Sequence, residues 1–213
     1  MSQPEYGSLM SSPPGAVVAP KGFPADPRPT QGSKVFRDAM EIRVKVFCEE
    51  QNCSLEAELD EDDLRSWHWV MYHTFSDRIE PASVIRIVPP PHDPHPNGFS
   101  DPNERPYVKL GRVATMPAHR GKGLSRALTE TALQWSYEHR QEISPEWDGL
   151  VLCHAQVSVE KMYGKLGFVT DERLGRWMEE GIEHLGMWRD LKLSQPSDPV
   201  SSASVQNGVS SNT

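Results

Sequence analysis

The sequence predicts an α/β fold, α+β in its detail: a sheet with helices on both faces. Three observations predict it. A strand-like run over Tyr107–Thr115 passes through a turn with two glycines into an amphipathic helix that starts at Leu124. A second apolar run at 149–153 leads to a helix at 159–166 and a new strand from Phe168. Upstream, a helical repeat at 35–50 gives way to two strand-like runs, so helices and strands alternate along the chain.

Taken in order, residues 1–33 are rich in Pro, Gly and Ser and read as a disordered tail, with a short edge strand expected near 16–19. The 35–50 helix buries Phe36, Met40 and Phe47, with Val44 and Val46 flanking the stripe. Residues 67–75 and 82–88 read as strands from their aromatic and β-branched content. Residues 89–106 hold seven prolines, which excludes a sheet interior, and read as a disordered insertion. After strand 107–115, Leu124, Ala127, Leu128, Thr131 and Trp135 mark one helical face. Ser158 is the expected N-cap of the 159–166 helix, and Gly167 its left-handed stop. Residues 188–193 close the sheet, and 194–213, nearly all small and polar, form a second disordered tail. No internal repeat is visible.

The 213 residues suit one domain, 34–193, between tails that keep the hydrophobic fraction at 37%. No stretch has the charged and apolar regions of a signal peptide, and no run of about 18 apolar residues suggests a membrane span. Three sparse cysteines, Cys48, Cys53 and Cys153, argue for reduced thiols inside the cell, in cytoplasm or nucleus. The net charge is -8, and no basic patch favours nucleic acid. Nothing points to a metal, and the oligomeric state stays open, a homodimer included.

The turn after Thr115 carries the first chemistry. Arg120-Gly121-Lys122-Gly123-Leu124-Ser125 places backbone N–H groups, a helix N-terminus and two cations at one spot, a geometry that binds phosphate or pyrophosphate. It lacks the spacing of a P-loop and the third glycine of a dinucleotide fingerprint. Gly-x-Gly at such a turn also occurs where a tight bend merely has no room for a Cβ.

Arg-Gly-x-Gly-Leu before one helix, then Met162-Tyr-Gly-Lys-Leu-Gly-Phe168 some forty residues later, resembles the GNAT N-acetyltransferase superfamily. The segments Arg43-Val-Lys-Val-Phe-Cys-Glu-Glu-Gln51 and Gly181-Ile-Glu-His-Leu-Gly-Met187, with His68 and the acidic run to Asp63, are similar to its ElaA-type branch. The resemblance covers about residues 34–193. It implies a mixed, mostly antiparallel sheet with splayed central strands. It also implies acetyl-CoA as co-substrate, held by Val113, Ala114, Thr115, Arg120, Gly121, Lys122, Gly123, Leu124, Ser125 and Gln156. Ser125 stands where the family pattern has Gly or Ala.

The activity so implied is transfer of acetyl to a primary amine of a small molecule or protein. The alternative is a coenzyme A-binding module that senses without turnover. Transfer needs donors for the oxyanion, and backbone N–H groups at 114–116 are candidates. It also needs a proton for the leaving thiolate; Tyr163 stands at the family's tyrosine position, and a phenol with pKa about 10 is suited to the task. His154 is the first candidate for general base, with Glu58, Asp60, His68 and water as alternatives. Glu49, Glu50, Glu56, Glu58, Asp60, Glu61, Asp62 and Asp63 carry no basic residue among them, and such a rim favours a cationic acceptor. A solvated loop that binds nothing has the same composition.

Overall fold

The computed structural model describes residues 5–11 and 32–194. Along the chain run β1 (Glu5–Ser11), α1 (Lys34–Arg43), α2 (Leu55–Glu58), β2 (Trp67–Thr74), β3 (Ile79–Val88), β4 (Tyr107–Thr115), α3 (Leu124–Glu138), α4 (Arg140–Ile143), β5 (Leu150–Gln156), α5 (Glu160–Lys165), β6 (Val169–Thr170), β7 (Arg176–Glu179) and β8 (Ile182–Asp190). The strands form one sheet in the order β1-β2-β3-β4-β5-β8-β6, with β7 paired to the other half of β8's edge. Among the described residues only β4 and β5 run parallel.

Helices cover both faces, as the alternation predicts. On one face α1 lays Phe36, Ala39 and Met40 against Val70, Tyr72 and Val84. Ser33 starts this helix by accepting from the Phe36 N–H at 3.1 Å. On the other face α3 and α5 bury Leu128, Leu133, Tyr163 and Leu166 against Trp69, Ile85, Leu110 and Cys153.

The expected helix 35–50 changes winding: Val44–Glu50 is a π-turn continuing α1. The extra residue per turn rotates the stripe, so Val46 is buried while Phe47 is half-buried and faces a cleft. The buried face of α3 also sits one position on from the expected stripe: Thr129, Ala132 and Ser136 are buried, and Ala127 and Thr131 are exposed. Trp135 reaches the core only at its edge, meeting Trp69 at 5.6 Å. Val159 rather than Ser158 precedes α5, without a side-chain cap. Gly167 has φ +80 and ends that helix as expected.

Three expectations are corrected. The N-terminal tail contains a strand: β1 pairs along its length with β2, and Tyr6 stacks on His73 at 4.6 Å. Composition averaged over the tail hides this seven-residue strand; the strand expected at 16–19 lies outside the described residues. The proline-rich segment 89–106 is packed and ordered. Arg65 donates to the Pro89 and Pro91 carbonyls at 2.6 and 2.8 Å, His92 stacks on Tyr107 at 4.5 Å, and Arg105 pairs with Asp148 and Asp190. It covers the half of the sheet that α1 leaves bare. Finally, β8 begins at Ile182, well before 188, because Glu180 and Gly181 both take positive φ and close a hairpin with β7.

Candidate active site

Between β4 and β5 the ladder ends at Leu110–Cys153, and the strands then part. β4 bulges there: Arg86 pairs with Gly111 but Val84 with Ala114, so Arg112 and Val113 have no partner in the β3 ladder, and Arg112 takes φ +52. The splay opens a cleft of about 530 Å³ in which the β4 edge from Gly111 to Thr115 has no strand partner on the β5 side.

Val113, Ala114, Thr115, Arg120, Ser125, His154, Gln156 and Tyr163 all line this cleft. Gly121 and Gly123, between the lining residues Arg120 and Ser125, have φ +75 and +76, and a Cβ on either would meet nothing within 4 Å. Gly123 is the N-cap of α3 and offers no side-chain cap, so it leaves the first-turn N–H groups uncapped. This turn fits a diphosphate. Leu124 is a core residue and brings only its backbone. Lys122 does not reach the cleft; its Nζ donates to the Tyr6 hydroxyl at 3.1 Å. The Ser125 hydroxyl lies 2.8 Å from that of Thr115, tying α3 to β4. Of the expected oxyanion donors, the Met116 N–H is taken by the Ala82 carbonyl at 2.9 Å.

Residues 50–54 strap the cleft. Arg120 grips Glu50, Gln156 Nε2 donates to Gln51 Oε1 at 3.0 Å, and the Ser54 N–H donates to Glu180 at 2.8 Å.

Tyr163 is buried, and burial together with the neighbouring Cys153 thiol holds its phenol well above the usual pKa. Burial likewise pushes Cys153 up to about 12. His154 lies edge-on to Trp177 at 4.8 Å, and its buried Nε2 has no partner. Burial, reinforced by Lys109, pushes it down to about 3, too weak a base to hold an amine's proton. The other candidates fare no better. His68 does not line the cleft, and burial pushes it down to about 4. Burial would raise Asp60, but Arg86 outweighs it and holds the carboxylate low. Glu58 is bound by Arg43 at 2.5 Å.

The acidic loop is mostly neutralised, which corrects the expected anionic rim. Arg43 is wholly buried and binds Glu58 and Asp63; Arg86 binds Asp60 and Asp63; Arg112 binds Asp60 and Glu58. Arg65 takes Asp62 and Arg120 takes Glu50, leaving Glu49, Glu56 and Glu61 exposed. The signal for Arg43 was its place on the apolar stripe of α1, seven residues after Phe36.

A mixed sheet, splayed at its parallel β4–β5 pair beside a glycine turn, is a GNAT-type fold. Residues 97–191 match the family model of the acetyltransferase (GNAT) domain. Escherichia coli ElaA has a similar structure, with TM-score 0.57 at 23% identity, covering 88% of this chain and 99% of that one. An acyl-CoA N-acyltransferase from Pseudomonas aeruginosa gives 0.57 at 23%, covering 87% and 99%. Both likenesses show the fold. In sequence, YjcF of Bacillus subtilis, named an uncharacterized N-acetyltransferase, is 28% identical over 160 residues, 73% of this chain and 92% of its own. Among the described residues no helix is long and apolar enough to cross a membrane.

Proposed function

We propose that the chain is an acetyl-CoA-dependent N-acetyltransferase acting on a primary amine of a small-molecule or protein acceptor. The observation that carries this reading is convergence on one cleft: an open glycine turn at one end, an unpaired β4 edge along it, and the Tyr163 phenol inside. The match to the GNAT domain model and the name of the B. subtilis relative support transfer to nitrogen. A module that only senses coenzyme A has no need of a buried phenol beside its thiol.

The N–H groups of Gly121 to Ser125 and the Arg120 guanidinium hold the diphosphate. The β4 edge at Val113 to Thr115 pairs with the pantetheine arm, and Gln156 flanks it from β5. A neutral amine attacks the thioester carbonyl carbon, and backbone N–H groups at the bulge, Arg112 and Val113, receive the negative oxygen. The carbon–sulfur bond breaks with its electron pair on sulfur, and Tyr163 donates a proton to it. Burial suits this step. It raises the phenol, but the pushed-up Cys153 thiol indicates that a leaving thiolate in the same setting is also a stronger base. The amine's proton passes to water, since no side chain in the cleft is a fit base. We place the protein inside the cell, in cytoplasm or nucleus, on its unpaired cysteines.

The test is release of free thiol from acetyl-CoA across a panel of amines. Amine-dependent release supports transfer; tight acetyl-CoA binding without release from any amine favours the sensing module.

A further inference from the structure

Among the described residues, Lys109 is the cation lining the cleft that makes no ion pair. It follows Tyr107 by two positions on β4 and points to the face where α1 and the proline-rich segment lie. The buried floor balances itself, Arg43, Arg86 and Arg112 against Glu58, Asp60 and Asp63. Lys109 has no such match: among the described residues it makes no ion pair or hydrogen bond. Two carboxylates lie near it. Asp62 is held by Arg65 at 2.6 Å, and Asp93 is exposed at the rim.

His154 is its neighbour. Lys109 pairs in register with Leu152, two residues before His154, so the two side chains are diagonal neighbours on one face. The imidazole is neutral, and its buried Nε2 lines the cleft without a partner. A buried polar atom with no partner is costly, and so is a half-buried ammonium held in no ion pair or hydrogen bond. One ligand group relieves both: a carboxylate, one oxygen accepting from Lys109 Nζ and the other from the His154 Nε2–H.

We propose that Lys109 and His154 form a carboxylate subsite, and that the acceptor is an amine that carries its own carboxylate, an amino acid in the broad sense. This rests on the transfer reading of the cleft. Val46, Phe47, Val88 and Leu110 line the same cavity and suit an apolar body between the two polar ends. His154 is then a binding residue, consistent with its weakness as a base.

The test uses matched pairs: leucine with leucinamide, and 5-aminopentanoate with pentylamine. Each is titrated calorimetrically into the full chain, with and without coenzyme A, so that no turnover is needed. The carboxylate member of one pair binds at least tenfold tighter, the pair that responds giving the amine-to-carboxylate spacing. Lys109→Met abolishes the difference and Lys109→Arg keeps most of it. His154→Phe, which preserves the ring against Trp177, reduces it, with thermal melting to check that each variant is folded. Equal binding within both pairs, no binding of either acid, or a preference that survives Lys109→Met overturns the subsite. Thiol release is measured on the same amines. A preference that persists without any release removes the transfer reading and leaves the subsite standing.

Discussion

Arg120 and Glu50 face each other across the cleft, guanidinium against carboxylate, at 2.8 and 2.6 Å. Arg120 belongs to the glycine turn and Glu50 to the end of the π-turn after α1, so the pair ties the strap to the proposed diphosphate turn. Its hydrogen bond from Arg120 holds the Glu50 carboxyl below the usual range. The same carboxylate puts a negative charge beside the turn proposed to hold the diphosphate.

Glu50→Gln therefore tightens acetyl-CoA binding, by about two- to fivefold at low salt, a gain that shrinks as salt screens the exposed charges. Calorimetry at low and high salt checks this. Weaker binding in the variant means that Glu50 holds the turn in its binding shape rather than competing for Arg120.

Gly123→Glu loses acetyl-CoA affinity by at least about tenfold. The side chain would project into open space at the mouth of the turn, with a charge like that of the phosphates. Since φ is +76, some strain accompanies any side chain. Gly123→Asn, which tolerates this backbone, separates strain from charge and loses less. Unchanged affinity in a folded Glu variant removes the diphosphate from this turn.

Stability falls as pH drops from about 6.5 to about 4. Burial pushes His68 and His92 down to about 4 and His154 to about 3, against about 6.5 in an unfolded chain. Below pH 6.5 the unfolded state takes up protons that the folded state refuses, so stability is complete above that value and is lost below it. Each histidine contributes up to about 1.4 kcal/mol per pH unit in this window. Asp63 acts lower: burial would raise it, but Arg43 and Arg86 outweigh this, and its contribution goes only below about pH 4. Thermal melting gives a midpoint that is flat above pH 7 and declines steadily below pH 6.5. A flat profile down to pH 5 contradicts the buried, neutral histidines.

Much of this arrangement was legible because it depends on local chemistry. Strand Tyr107–Thr115 came out with its observed bounds, and the glycine turn was readable since positive φ there demands glycine. What escaped depends on distant partners. The π-turn that aims Phe47 into the cleft has no local signal in a stripe that reads equally well as α-helix. The acidic loop read as a free anionic rim because Arg43, Arg86 and Arg112 come from a helix and two strands that only folding brings to it. The proline-rich segment read as loose because its anchors, Arg65, Asn97 to the Leu174 carbonyl, and the Tyr107–Trp188 aromatic pair, reach far along the chain. His154 lines the cleft, but its role turns on burial, which sequence does not state.

Amine-dependent thiol release by the Tyr163→Phe variant tests the central claim most directly. The substitution keeps the ring against Phe168 at 5.7 Å and removes only the proton donor. The transfer account predicts turnover lower by about 100-fold, with acetyl-CoA affinity within about twofold of the parent, because the lost interaction belongs to the transition state. Parental turnover in the Phe variant, at saturating acetyl-CoA and with chemistry limiting the rate, would contradict it.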